Sequence, residues 1–344
     1  MKRIMMTSQL DEEVMTTLIK EHDVLAVGAS IGGDELSEER MLAYIQVHAP
    51  EILFVDSSPV TEQIISQAPS LRLIICTRGT PANVDLTSCA RRGIFVCNTP
   101  ARNANAVAEF TLALMLGISR FIPQSMKAIC TGDITLSSDQ LLSRSENDVI
   151  WNHPALDAIP YDIFKGRELL NSVLGIIGLG FIGQLVAKKA VALGMNVLIY
   201  DPLLTDEKIA AIGGRRSTLQ ELLADSDFIS VHAKECSETH HMIDSAAFAQ
   251  MKRSAYLINT ARAGLINYQD LLTALRSGQI AGAALDVFPV EPLADTDPLL
   301  SLNNVILTPH IAGASTDVVQ HHSAMALRSL RQYLQGEALE FQVK

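Results

Sequence analysis

At 344 residues the chain is long for one hydrophobic core, so its length predicts two domains. Hydrophobic residues make up 48% of it, and the formal net charge of −11 speaks against a broad cationic surface for nucleic acid. The five cysteines (Cys76, Cys89, Cys97, Cys130, Cys236) are scattered, odd in number and form no C-x-x-C pair, which speaks against a disulfide framework or zinc site and fits reduced thiols in the cytoplasm.

The first ten residues contain no long apolar stretch followed by a small-residue cleavage site. Strand-like runs follow at 4–6, 24–27, 52–55, 73–76 and 94–97, separated by amphipathic segments such as 11–21 and 35–48. This alternation predicts a parallel sheet with helices on both faces. Residues 104–118 read as a helix that is apolar nearly all round, hence buried between domains or between subunits. Interrupted by Glu109, the run is too short to span a bilayer. Periodicity is lost over 132–165, which holds the only tryptophan, Trp151. So long a loop reads either as an insertion wrapping a partner subunit or as a surface excursion. A second alternating series has strands at 173–177, 197–200, 228–232, 255–259, 282–287 and 305–307. Tyr268, Leu271, Leu272 and Leu275 make a helical stripe, with Gly278 placed to end it. Residues 316–335 form a last amphipathic helix with no strand after it.

The strand at 173–177 runs into Gly178-Leu179-Gly180-Phe181-Ile182-Gly183, and a helix bearing Leu185, Val186 and Ala190 follows, with Gly194 as its stop. Strand, G-x-G-x-x-G and helix together are the context a dinucleotide fingerprint needs. Gly178 permits the tight turn, Gly180 lets a pyrophosphate approach the backbone, and Gly183 lets helix and strand pack closely. The helix N-terminus then offers N–H groups and partial positive charge to phosphate. The next strand ends at Asp201, 23 residues after Gly178. A carboxylate there accepts hydrogen bonds from ribose hydroxyls and repels a 2′-phosphate, and no arginine follows immediately, so NAD is expected over NADP.

Arg262, Glu291 and His310 each sit just beyond a strand of the second series, where ligands bind in open parallel sheets. Oxidising a 2-hydroxy acid needs a proton acceptor, and the pKa of histidine suits it. A neighbouring carboxylate steadies the imidazolium, and arginine holds a planar carboxylate through two N–H bonds. Taken singly, each residue has an ordinary structural reading: a satisfied histidine, a loop acid, a surface arginine.

The phrases A-V-A-E-F-T at 106–111, N-T-A-R-A-G-L-I at 259–266, A-G-A-A-L-D-V-F at 281–288 and N-V-I-L-T-P-H-I-A-G at 304–313 resemble signatures of the D-isomer-specific 2-hydroxyacid dehydrogenases, D-3-phosphoglycerate dehydrogenase-like branch. Similarity extends through N-V-D at 83–85 and R-R-G-I-F-V-C-N-T-P at 91–100. The resemblance implies that Arg262 orients substrate, His310 is the acid/base and Glu291 supports it. NAD would also be met by Phe181, Ile182, Ala233, Thr260, Ala261, Arg262, His310 and Gly313, with Asp286 at the nicotinamide end. It further implies two doubly wound parallel-sheet domains. Residues 1–102 and 317–344 would form a flavodoxin-like substrate domain, and 103–316 a Rossmann NAD domain, with a cleft between them that closes on substrate. The helix at 104–118 resembles the family's dimer-forming crossover, so a homodimer is expected, with no nucleic-acid or membrane partner.

Departures from the family pattern direct attention to the substrate. Where relatives have a Gly-rich loop, this chain has Thr77-Arg78-Gly79-Thr80-Pro81-Ala82. Arg78, Gly79 and Thr80, with Arg102 and Asn103, are the expected substrate-binding set, able to take a phosphate or second carboxylate. Lys234 stands where many relatives have proline, and no regulatory module is expected after residue 344. The pairs His240-His241 and His321-His322 lack a completing Cys or acid and read as solvated or interface histidines, so no metal is expected. The second functional reading is a non-catalytic NAD-sensing binding protein on the same fold.

Overall fold

Strand and helix alternate along both halves of the chain in a computed structural model that describes residues 1–135 and 159–343. Trp151 and most of the aperiodic 132–165 stretch lie outside the described residues. The chain divides into two compact units, Met1–Asn103 with Ala314–Lys344, and Ala104–Gly313.

The first unit holds a five-stranded parallel sheet of β1 (Arg3–Met6), β2 (Asp23–Ala26), β3 (Ile52–Val55), β4 (Leu73–Cys76) and β5 (Phe95–Cys97), in the order β2-β1-β3-β4-β5. That is the flavodoxin-like order. Alternate residues of each strand serve opposite faces. Met5, Leu53, Val55 and Ile74 pack with Met41 and Ile45 of the helix Glu38–His48. Ile4, Met6, Ile52, Phe54 and Ile75 pack on the other side with Leu18, Ala326 and Leu330. β3 and β4 are buried along their whole length, so their sequences are continuous apolar runs. The last helix, Asp317–Gln335, therefore belongs to the first sheet because its stripe covers that sheet's second face.

The second unit holds seven parallel strands: β6 (Val173–Ile177), β7 (Asn196–Tyr200), β8 (Arg215–Arg216), β9 (Phe228–Val231), β10 (Tyr256–Asn259), β11 (Gly282–Leu285) and β12 (Val305–Leu307). Their order is β12-β11-β10-β9-β6-β7-β8, so the direction of winding reverses between β6 and β9. Such a reversal opens the crevice in which doubly wound sheets bind ligands. β8 has no counterpart in the hydrophobic pattern, because it consists of two arginines paired to Leu198 and Ile199. The helix Ala104–Ser119 is buried within its own unit, where Ala108, Leu112 and Met115 share a core with Val186, Ala187 and Ala190 of the helix Phe181–Ala192. Its interrupting acid, Glu109, is exposed and pairs with Lys189 at 3.1 Å. Among the described residues no single helix is long and apolar enough to cross a membrane. Ala104–Ser119 passes that test only jointly with Ile122–Thr131, across a 60° bend.

Candidate active site

β6 runs into Gly178, whose φ of +89° lies in the left-handed region that favours glycine. A Cβ there would lie 2.6 Å from the backbone nitrogen of Ala233, and one at Gly183 would lie 2.3 Å from the carbonyl oxygen of Gly178. At Gly180 a Cβ would meet nothing within 4 Å. Two glycines are thus fixed by backbone crowding, and the middle one faces open space, as approach of a pyrophosphate requires. Gly180 is also the N-cap of the helix Phe181–Ala192 and supplies no capping side chain. The first-turn N–H groups of that helix suit an anionic acceptor.

β7 delivers Asp201 beside this turn. Its Oδ2 accepts from the N–H of Leu179 at 2.8 Å, and its Oδ1 accepts from the N–H of Leu203 at 2.9 Å. The carboxylate is thereby held against the glycine loop. Arg216 on β8 donates to the carbonyl of Asp201 at 3.1 Å and also engages Asp206 and the carbonyl of Leu204. This arginine is a neighbour that chain order did not reveal. At the end of β9, His232 lies 2.8 Å (Nε2) from Ser230 Oγ, and burial pushes its pKa down to about 4. Lys234 is exposed, and its carbonyl accepts from Thr239 Oγ1 at 2.7 Å.

β10 ends at Asn259, only 1% exposed. Its Oδ1 accepts from the N–H of Ala261 at 3.0 Å, and its Nδ2 donates to the carbonyl of Arg262 at 2.9 Å. These two bonds brace the turn that projects Arg262, which is exposed with Nη1 on the carbonyl of Ala261. Thr260 is buried 3.0 Å from Thr111 Oγ1. Because Thr111 donates to the carbonyl of Val107, Thr260 is the donor of that pair. Asn259 was not among the expected site residues. Its signal was its place as first residue of the N-T-A-R-A-G stretch, on the last position of a strand.

β11 leads to Asp286, 1% exposed, whose carboxylate accepts from Thr308 Oγ1 at 2.6 Å and from the N–H groups of Ile311 at 2.9 Å and Ala312 at 2.8 Å. All three donors belong to the loop after β12, so Asp286 fixes that loop. His310, at its tip, has φ +56°, a conformation uncommon outside glycine and held here by those surrounding bonds. Its Nδ1 lies 2.7 Å from Glu291 Oε2, and Glu291 Oε1 accepts from the N–H of Phe288 at 2.9 Å. A carboxylate only accepts, so Nδ1 carries a hydrogen and Nε2 is the nitrogen left for exchange. Partial burial disfavours the charged Glu291, but the hydrogen bonds from His310 and Phe288 outweigh it and hold the carboxyl below its usual range. Arg262, Glu291 and His310 line one cavity of about 710 Å³, together with Glu235, His240 and Tyr268. The rings of His240 and His241 stack with centroids 3.9 Å apart.

Phe181 is exposed, Ile182 and Gly313 are half-buried, and all three lie in this second unit. The remaining expected residues lie in the first unit, beyond β4 and β5. Arg78 is exposed with Nη1 on Ser57 Oγ at 2.8 Å, Gly79 accepts from Asn98 Nδ2 at 2.7 Å, and Thr80 is exposed. Asn103 is half-buried. Arg102 donates to His322 Nδ1 at 2.9 Å and lies 3.6 Å from Asp56. His322 is 4% exposed, so of the two expected alternatives, solvated or at an interface, the solvated one fails there. Its helix turns it inward against the sheet, while His321 stays exposed.

A glycine turn with a carboxylate held against it, and in the same unit a carboxylate-held imidazole and a projecting guanidinium on one cavity, are the parts a nicotinamide-dependent dehydrogenase needs. Comparison with known proteins gives the class a family. Residues 112–312 match the model described as D-isomer specific 2-hydroxyacid dehydrogenase, NAD binding domain. The chain is 34% identical over 281 residues to a glyoxylate reductase of Korarchaeum cryptofilum, covering 82% of this chain and 78% of that one. It is 34% identical to a D-3-phosphoglycerate dehydrogenase of Methanocaldococcus jannaschii over 99% of this chain but 59% of that one. Apo D-mandelate dehydrogenase of Rhodotorula graminis superposes with a TM-score of 0.79 at 25% identity, over 100% of this chain and 97% of the other. The chain belongs to the D-isomer-specific 2-hydroxyacid dehydrogenases. It is an NAD-dependent oxidoreductase.

Proposed function

We propose that the enzyme interconverts a small D-2-hydroxy acid and its 2-oxo acid, with a second anionic group on the substrate, phosphate or carboxylate, as in 3-phosphoglycerate. The single observation that carries the reading is the 2.7 Å bond from His310 to Glu291 on the wall of the cavity that Arg262 also lines. Arg262 holds the substrate carboxylate through paired N–H bonds. In the oxidative direction His310 Nε2 takes the hydroxyl proton, and the resulting imidazolium is steadied by Glu291. In reduction the same nitrogen returns a proton to the oxygen on C2. NAD, when bound, accepts the hydride from C2, and NADH gives it back.

Gly178, Gly180, Gly183, Phe181, Ile182 and Ala233 would hold the pyrophosphate. Asp201 would hold the ribose, and Thr260, Ala261, Asp286 and Gly313 the nicotinamide half. Arg78, Gly79, Thr80, Arg102 and Asn103 form the proposed second-anion site, supported by two cations in a unit of an otherwise acidic chain. A cytoplasmic homodimer fits the stripe Ile122, Met126 and Ile129, which is 55%, 67% and 57% exposed on one helix.

A panel of 2-oxo acids with NADH tests the proposal: glyoxylate, hydroxypyruvate, 3-phosphohydroxypyruvate and 2-oxoglutarate. NADH oxidation is expected, with higher kcat/KM for the last two. NADH binding without turnover anywhere in the panel would return the NAD-sensing reading, and a preference for glyoxylate would remove the second anion.

A further inference from the structure

Two adjacent histidines on the last helix end in different surroundings, because neighbouring helical residues point in different directions. His322 is 4% exposed, and both of its ring nitrogens are engaged. Nε2 lies 2.8 Å from the carbonyl oxygen of Gln9, and Nδ1 lies 2.9 Å from Arg102 Nη1. A carbonyl only accepts and a guanidinium only donates. The two partners together therefore require the neutral ring with hydrogen on Nε2 and a lone pair on Nδ1.

Arg102 is fixed from a second side by Asp56, 3.6 Å from Nη2. Asp56 accepts in turn from Thr77 Oγ1 at 3.2 Å, and Thr77 is 2.7 Å from Ser8 Oγ. The Arg102 side chain remains 22% exposed. Of the five N–H groups on a guanidinium, one is hydrogen-bonded to His322 while Nη2 stands at ion-pair distance from Asp56, so others can meet an anion.

We propose that His322 is the positioning residue of an anion site centred on Arg102, and that the site is intact only while the imidazole is neutral. The inference deepens the reading of Arg102 as a substrate group and rests on it. Protonation would put an N–H on Nδ1, removing the acceptor and setting two cations against each other. Arg102 would then have to turn away. The charged or titratable groups facing His322 are Arg102, Asp56 and His321. Burial, aided by Arg102 and His321 and opposed by the Gln9 carbonyl and Asp56, keeps the ring below the usual histidine range. The ring is therefore neutral at pH 7, and its loss of function belongs to acid conditions.

His322→Asn keeps an acceptor near the Nδ1 position and cannot gain a proton. Binding of 2-oxoglutarate to the NADH complex, measured by calorimetry from pH 8 to 5, compares this variant with wild type and with Arg102→Met. Relative to His322→Asn, wild type is expected to lose about tenfold more affinity across that range, the scale of one hydrogen bond to a charged group. Arg102→Met should weaken binding by about tenfold at every pH. Superimposable profiles for wild type and His322→Asn, with Arg102→Met weakened, would overturn the role of His322 alone. Unchanged binding in Arg102→Met, or no binding at all, would overturn the anion site itself. Should His322→Asn fail to fold, the ring 15N shifts of wild type decide instead. A neutral Nε2–H pattern at pH 7 supports the assignment, and a charged or Nδ1–H ring overturns it.

Discussion

His310 and His322 stand twelve positions apart in the sequence, and their partners give them opposite characters. His310 gives the Nδ1 hydrogen to Glu291, and its side chain is 51% exposed. His322 accepts at Nδ1 from Arg102, donates at Nε2 to Gln9 and is buried. An acid beside an exposed ring suits the proton carrier proposed above, whereas a cation beside a buried ring suits the proposed strut. Residue type alone therefore says little about a histidine; the chemistry of the atom facing Nδ1 decides.

The largest effect that would break this contrast is at His310. His310→Ala should lower kcat at least about a hundredfold, the usual contribution of a general acid–base group, while NADH affinity measured by fluorescence stays near wild type. Turnover that survives the change would remove His310 from proton transfer and leave the two histidines functionally alike.

Asp286→Asn comes next. An amide keeps the shape but replaces one accepting oxygen with an NH2 group, which faces N–H donors of Ile311 or Ala312. Leaving such buried groups unmatched costs about 1–3 kcal/mol. Tm should fall, and kcat should fall with it, because the loop that presents His310 loosens. A lower Tm with unchanged kcat would show that Asp286 supports the fold but not the placement of the imidazole.

The two strand edges also differ in how far the sequence disclosed them. In the second unit the glycine turn, Asp201, Arg262, Glu291 and His310 were legible because each sits on a short local motif at a strand end. The strands were legible too, since residues buried on both faces leave unbroken apolar runs, as in β3 and β4. What escaped notice depends on distant partners. His322 meets Arg102 across 220 positions, so nothing local marks it as buried. Asp286 was expected at the nicotinamide, and its three bonds to the loop at 308–312 appear only once β11 and β12 are side by side. β8 escaped because two arginines have no hydrophobic pattern to read.

At the cofactor end, Asp201→Ala tests whether the second unit's edge selects its ligand by charge. Loss of the carboxylate removes the acceptor of the Leu179 N–H and the repulsion of a 2′-phosphate. The ratio of kcat/KM for NADH over NADPH should fall by about tenfold, the worth of one charge-assisted hydrogen bond. Unchanged discrimination would take Asp201 out of the ribose site.

A last effect concerns the acid stability linked to the two histidines whose pKa burial lowers. An unfolded histidine titrates near 6.5. Burial lowers His232 to about 4 and lowers His322 as well, so the folded chain binds fewer protons than the unfolded chain within that interval. Stability linked to these rings is therefore fully present above about pH 6.5 and is lost as pH falls toward 4. Chemical denaturation at pH 7, 6, 5 and 4.5 should show wild type losing more stability than His232→Gln, which cannot titrate there. Parallel slopes for wild type and His232→Gln would mean that the ring accepts a proton without unfolding, and the division between strut and proton carrier would then not be one of burial.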